Sequence, residues 1–179
     1  WARRLGGLAQ VESEMVQAYG IIKGMKPEVF VEIGSLFGAS LYIYAGVCMP
    51  GATVISVDIG QEEMALRKSV SKLHDEGFDS HFVKGRSDAV ETIQAVTGIL
   101  RESPIDLLHI DGDHSEEVVR RDYDNYRPMV RTGGAIMFHD ISDNHPHADV
   151  HRVWKEVRGD MFKEFVYPRK NIGIGIMWV

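Results

Sequence analysis

Two short stretches of this chain crowd together groups that bind cations or move protons. Ile110-Asp-Gly-Asp-His-Ser115 packs two carboxylates and an imidazole into one turn, and Phe138-His-Asp-Ile141 sets another imidazole beside a third carboxylate. Carboxylates gathered at neighbouring strand ends repel one another unless a partner neutralises them. Asp111 and Asp140 make a hard-oxygen pair of the kind that holds Mg²⁺. His139 is a softer donor and suits Mn²⁺, Fe²⁺ or Zn²⁺ better. His114 and Asp113 are placed for acid/base work. The bland alternative for the first stretch is turn chemistry, with Ser115 capping a following helix. Asp111 and Asp113 also match the start of a calcium loop, but the later ligand spacing of that loop is missing.

A third stretch, Val31-Glu-Ile-Gly-Ser-Leu-Phe-Gly-Ala-Ser40, runs from an apolar segment through two glycines into a helical pattern. Glycines there let a ligand approach the backbone. The order Gly34, Leu36, Gly38 breaks the dinucleotide fingerprint G-x-G-x-x-G. The acid at Glu32 would repel a pyrophosphate and suits a cationic ligand, such as the amino group or sulfonium of S-adenosylmethionine. A valine at Gly38 is expected to fill ligand space and abolish binding without unfolding the chain. Asp58 ends the β-branched run Val54-Ile-Ser-Val, where a carboxylate can accept from ribose hydroxyls or cap the next helix. Gly85-Arg-Ser87 follows the next strand, where Ser87 could bond a base or cap a helix. His145, His147 and His151 read as solvated surface histidines, with a lid over the substrate as the functional alternative.

The elements that must carry these groups alternate. Helical patterns run over Leu8–Lys23, Ser40–Cys48, Glu62–Glu76, Asp88–Glu102 (Asp88 capping), Ser115–Val130 (ended by Gly133-Gly134) and Val150–Val157. Strand patterns run over Val29–Ile33, Thr53–Val57, Ser80–Lys84, Ile105–Ile110, Ala135–Phe138, Phe162–Tyr167 and Ile172–Trp178. Near-continuous apolar strands between helices imply a parallel sheet covered on both faces. The last two strands, joined through Pro168–Asn171, should pair antiparallel. The expected fold is α/β: a Rossmann-like, doubly wound, mostly parallel seven-stranded sheet with an antiparallel C-terminal hairpin. Residues 1–179 read as one domain, with residues 1–26 a leading helix.

With 179 residues the chain has room for a real core. Its net charge of −6 comes without a basic block, which disfavours nucleic acid as a partner. The one cysteine, Cys48, cannot form an internal disulfide. No stretch approaches a membrane span, and the amino end, which starts at Trp1 rather than Met, has no basic-then-apolar signal pattern. A cytoplasmic setting, no membrane partner and a small-molecule substrate are expected; self-association stays open.

Taken together, Glu32–Ser40 closely resembles the first motif of the catechol O-methyltransferase-like enzymes. Asp106–Ser115, Arg120–Pro128 and Gly133–Ile141 resemble a bacterial branch that includes macrolide-sugar O-methyltransferases and cephalosporin-tailoring proteins. The resemblance spans about residues 28 to 141. It implies S-adenosylmethionine-dependent O-methylation of a small-molecule hydroxyl. It assigns Glu32, Gly34 and Ser40 to the amino-acid end of the cofactor, Asp58 to its ribose and Ser87 to its adenine. Ser35, Gly38, Ile59, Arg86 and Asp111 complete the expected cofactor-binding set. Asp111 and Asp140 match two ligands of a divalent cation, Mg²⁺ or Mn²⁺, with His139 a third. His114 matches the catalytic base, acting with Asp111. Relatives often carry another carboxylate or an amide beside the second ligand, where this chain has His139 and Ile141. Two other readings stand beside this one. The first is a cofactor-binding module without transfer activity, suggested by how few residues remain for a substrate cap. The second is a nicotinamide-dependent reductase, against which Leu36 and Glu32 argue.

Overall fold

The computed structural model describes residues 11–167 and 171–179. Its strands are β1 (Val29–Ile33), β2 (Thr53–Asp58), β3 (Asp79–Lys84), β4 (Ile105–Ile110), β5 (Val130–His139), β6 (Phe162–Phe165) and β7 (Ile174–Trp178). Its helices are α1 (Glu12–Lys23), α2 (Ala39–Ala45), α3 (Glu63–Asp75), α4 (Val90–Leu100), α5 (Glu116–Tyr126) and α6 (Val150–Val157). The strands form one sheet in the order β3-β2-β1-β4-β5-β7-β6. β1 to β5 pair in parallel, while β7 runs antiparallel to both β5 and β6. This is the expected Rossmann-like arrangement. The sequence pattern does not foretell that β7 inserts between β5 and β6.

β1 and β4 are buried along their whole length. Their side chains alternate between two cores. Val31, Ile33, Leu108, Ile110 and Phe138 face α4, α5 and α6, whose Val96, Val119, Tyr126, Val153 and Trp154 cover them. Phe30, Val54, Leu107 and Met137 face α1, α2 and α3, whose Ile22, Leu41, Tyr44 and Leu66 cover them. Far from the carboxyl ends of the strands, Asp106 accepts from the Glu28 and Val29 amides at 2.8 and 2.9 Å and from the Arg131 guanidinium. That clamp sets the register of β1 against β4 and ties in β5.

Several local expectations shift. α5 stops at Tyr126 rather than Val130, because Pro128 has no N–H to continue the ladder; a 3₁₀ turn over Arg127–Met129 follows. Gly133 and Gly134 lie inside β5 instead of ending the helix. Asp88 does not cap α4, whose N-cap position is Ala89; its carboxylate takes two bonds from Arg86 and one from Arg121. Ser115 stands at the N-cap of α5 without a side-chain cap bond, because its hydroxyl donates to Asp113. The start of the expected leading helix at Leu8 and most of the Pro168–Asn171 connection lie outside the described residues.

Gly38 has a different task from the one its motif suggests. It holds φ +78° at the start of α2, and a Cβ there would stand 2.6 Å from Ser69 Cβ and 3.1 Å from Leu66 Cδ1 on α3. The glycine lets α2 pack on α3; it does not make room for a ligand. Gly38→Val is therefore expected to destabilise the fold by about 2–5 kcal/mol, through overpacking and backbone strain. Urea unfolding measures this, and an unchanged midpoint would contradict the packing assignment.

Candidate functional site

The carboxyl ends of β1 to β5 open into a cleft of about 550 Å³. Open parallel sheets bind ligands at that edge, where strand order reverses beside the first strand. Gly34, Ser35, Ser40, Asp58, Ile59, Arg86, Ser87, Asp111, His114, His139 and Asp140 all line it, as the sequence predicts. Glu32 and Gly38 do not.

Gly34 holds φ +84°, and a Cβ on it would lie 2.1 Å from the Asp111 carbonyl oxygen. The turn after β1 thus touches the turn after β4 backbone to backbone. Leu36, at φ +49°, occupies the left-handed region without being glycine. Asp58 supports that turn: one oxygen accepts the Leu36 amide at 2.9 Å, the other the Gly60 amide at 2.6 Å. The N-cap position of α3 is Glu62, so the alternative capping role of Asp58 falls away. A carboxylate offers about four acceptor positions. Asp58 therefore retains capacity for two ligand hydroxyls while holding the turn that surrounds them.

Glu32 is fully buried on the side of the sheet that faces α1 and α2. It pairs in register with His109, and its Oε1 lies 2.8 Å from His109 Nδ1. The sequence expectation of a direct contact with a cationic ligand is corrected. One residue of strand alternation turns this side chain away from the cleft.

The other half of the cleft is a ring of acids and imidazoles. His139 Nδ1 stands 3.2 Å from both Asp111 Oδ1 and Asp140 Oδ2. His114 Nε2 is 3.1 Å from Asp140 Oδ2, and His145 Nε2 is 3.6 Å from Asp140 Oδ1. Asp140 holds φ +59°, which turns its carboxylate back over the end of β5. Burial works against charge on His139, but the two carboxylates outweigh it and push its pKa up to about 10. Asp111, His139 and Asp140 each offer a ligand atom within 4.8 Å of the others, the spacing of a cation site. His114, about two-fifths exposed, stands at the cleft wall. His147 is exposed as expected, whereas His145 belongs to the site and not to the solvated surface. His145 is held by a turn from its own amide to Ser142 O. Nothing in the spacing of His145, His147 and His151 foretells this contact.

Sequence reasoning also missed three buried groups around the cleft. Glu14 on α1 is 1% exposed; Tyr167 N donates to its Oε1, and its Oε2 has no partner. The Tyr44 hydroxyl is buried without a partner, and desolvation raises its pKa well above the usual phenol range. Asp122 on α5 lies behind Gly112 and beside Ser87, fully buried and without a well-formed hydrogen bond. The charged pattern of α5 gives no signal for an inward Asp122, though its three-residue spacing from the buried Val119 could have found it.

The comparisons with known proteins agree with this geometry. Residues 31–141 match the family model described as Methyltransferase domain, so the chain belongs to that family. An uncharacterized protein of Acanthamoeba polyphaga mimivirus is 34% identical over 64% of this chain, and one of Sinorhizobium fredii is 24% identical over 76% of it. The chain spans 52% and 16% of the lengths of those two relatives. Cofactor-bound Rv0187 from MTB is similar in structure at TM-score 0.75 and 16% identity, over 99% of this chain and 85% of that one. The O-methyltransferase TomG from Streptomyces achromogenes, in complex with SAM, reaches TM-score 0.70 at 16% identity, over 99% and 86%. The O-methyltransferase from Bacillus cereus, in complex with SAH, reaches 0.69 at 14%, over 99% and 86%. The fold is thus the Rossmann-like methyltransferase fold. Among the described residues, no helix is long and apolar enough to cross a membrane.

Asp122 yields a prediction about stability. Burial, with Asp88 and Asp113 nearby, raises its pKa to about 7. An acid whose pKa rises on folding stabilises the native state only while protonated. Its contribution is complete below about pH 4 and is lost as pH climbs through 7. Asp122→Asn is expected to gain about 2–4 kcal/mol relative to the parent chain between pH 4 and pH 8. Parallel urea titrations at the two pH values check this; a difference independent of pH would refute it.

Proposed function

We propose that this domain binds S-adenosylmethionine along the ends of β1, β2 and β3 and transfers its methyl group to a hydroxyl oxygen of a small molecule held at the ends of β4 and β5. The observation that carries this reading is a division of the cleft. Asp58 and Ser87 lie on one side of β1, with acceptor groups suited to ribose and adenine, while Asp111, His114, His139 and Asp140 lie on the other side. The sulfonium supplies an electrophilic methyl group that needs no activation by the protein. A divalent cation held by Asp111, His139 and Asp140 would lower the pKa of the acceptor hydroxyl. The donor spacing and the excess of carboxylate over neutral donors fit such a cation.

The chain's own residues do the rest. Asp58 fixes the ribose and, through the Leu36 amide, the shape of the turn that receives the amino-acid end. Ser40, at the start of α2, faces the cleft with its hydroxyl available for the cofactor carboxylate. His114 donates its Nε2 hydrogen to Asp140 Oδ2, 3.1 Å away, accepts the hydroxyl proton at Nδ1, and Asp140 stabilises the imidazolium that forms. Alignment of oxygen, methyl carbon and sulfur is left to the rigid strand ends, and such positioning supplies much of the acceleration.

Two substitutions separate binding from chemistry. Asp58→Ala is expected to weaken S-adenosylhomocysteine binding in calorimetry by about 1.5–3 kcal/mol, since charge-assisted bonds are lost. Equal affinity would remove the ribose assignment. His114→Ala is expected to lower turnover by roughly 10²–10⁴-fold with cofactor affinity nearly unchanged. Undiminished turnover per folded molecule would pass the base role to Asp113. A chain that binds the cofactor but methylates none of a panel of catechols, sugars and phenols would favour the binding-module reading.

A further inference from the structure

We propose that the Asp111–His139–Asp140 site selects a borderline transition cation of the Mn²⁺, Co²⁺ and Zn²⁺ class over Mg²⁺. In this site His139 Nδ1 is a direct ligand and the buried Glu14 is the partner of the opposite ring nitrogen. The inference rests on the reading that this site holds a divalent cation.

Distance speaks first. Donors around a tetrahedral or octahedral ion with bonds of about 2.1 Å stand about 3.0–3.4 Å apart. His139 Nδ1 lies 3.2 Å from Asp111 Oδ1 and 3.2 Å from Asp140 Oδ2. An ion placed among the three atoms meets the nitrogen as readily as either oxygen.

Donor chemistry speaks second. Mg²⁺ takes oxygen ligands and keeps several waters, whereas imidazole suits the later first-row metals. His139 is 4% exposed at the end of β5, so its ring cannot swing into solvent to leave an all-oxygen site.

The far side of the ring speaks third. Both His139 nitrogens are buried without a well-formed hydrogen bond. A ligating histidine usually gives its second N–H to a carboxylate. Glu14 on α1 is buried on the face of the sheet toward which His139 alternates after Met137, and its Oε2 has no partner. The Tyr167 amide fixes its other oxygen at 2.5 Å. Ligation through Nδ1 leaves the proton on Nε2, and an adjustment of the Glu14 side chain would bring Oε2 in to accept it.

His145 is excluded as a ligand in this arrangement. Its Nδ1 accepts the His147 amide at 3.2 Å, so Nε2 carries the hydrogen and points toward Asp140 Oδ1. It orients Asp140 instead of joining the ion.

The test uses the full chain stripped with chelator, then titrated with CoCl₂, MnCl₂ and MgCl₂ in a calorimeter. Oxygen sites also rank Co²⁺ above Mg²⁺ to some degree, so the deciding quantity is how the ratio changes. Co²⁺ is expected to bind at least 100-fold more tightly than Mg²⁺, and His139→Asp to cut that ratio at least tenfold. Pulsed electron paramagnetic resonance of the Mn²⁺-loaded chain should show coupling to one nitrogen, a readout that needs no variant. Glu14→Gln is expected to weaken Co²⁺ binding by about 10–100-fold, with S-adenosylhomocysteine affinity retained. Nitrogen coupling absent from the folded, loaded chain, or a metal ratio unmoved in both His139→Asp and His139→Asn, would overturn the inference while leaving a divalent site in place. No binding of any of the three ions would overturn the metal reading itself, and full methyl transfer in chelator would confirm that outcome independently of the selectivity argument.

Discussion

The turns after β1 and β4 meet backbone against backbone, and the cleft exists because they do. Gly34 cannot carry a Cβ without striking the Asp111 carbonyl, and a Cβ on Gly112 would stand 3.1 Å from Ile33 Cγ2. This contact brings the cofactor-side turn and the acid-bearing turn into one wall. It places Asp111 at the junction, where its carboxylate faces His139 while its own backbone amide donates to Ile33 O at 2.9 Å. A side chain at Gly34 would push β1 and β4 apart at their ends. It would separate the two walls of the cleft.

Beneath that wall lies a layer of buried polar groups that a protein interior does not accept without return. Glu32, His109, Tyr44 and Glu14 are all nearly or fully buried, and each leaves at least one polar atom without a partner. Unsatisfied groups of this kind cost about 1–3 kcal/mol apiece. Among the described residues they gather on the α1 and α2 side of the carboxyl edge, with Asp122 and the half-buried His151 on the other side of the sheet. The Glu32–His109 pair is the best satisfied of them at 2.8 Å. Tyr44 stacks edge-on against the same imidazole at 5.6 Å, which holds His109 in place beside Asp111.

Much of the fold was legible because its cause is local. Five apolar strands alternating with amphipathic helices admit few arrangements other than a doubly wound sheet, and the strand-end acids fall at the edge where such sheets bind ligands. Asp58, Asp111, His114, His139 and Asp140 were all readable from their positions at the ends of apolar runs. Glu32 and Gly38 were misread although they stand in the same motif. A motif gives residue types and spacing, while strand alternation and a helix packed across the turn decide which way each one points.

The amino-acid sequence by itself determined the class of sheet, the edge that carries the chemistry and most of the groups that meet there, because periodicity and strand termini are properties of the chain read in order. Tertiary structure alone decided the insertion of β7 between β5 and β6, the inward turn of His145, and the burial of Glu14 against the Tyr167 amide. Each joins residues distant in sequence or selects one face of an element over another. Glu14 and Tyr167, 153 residues apart, meet through one hydrogen bond. Contacts of that separation depend on how whole elements pack, and no local spacing encodes them.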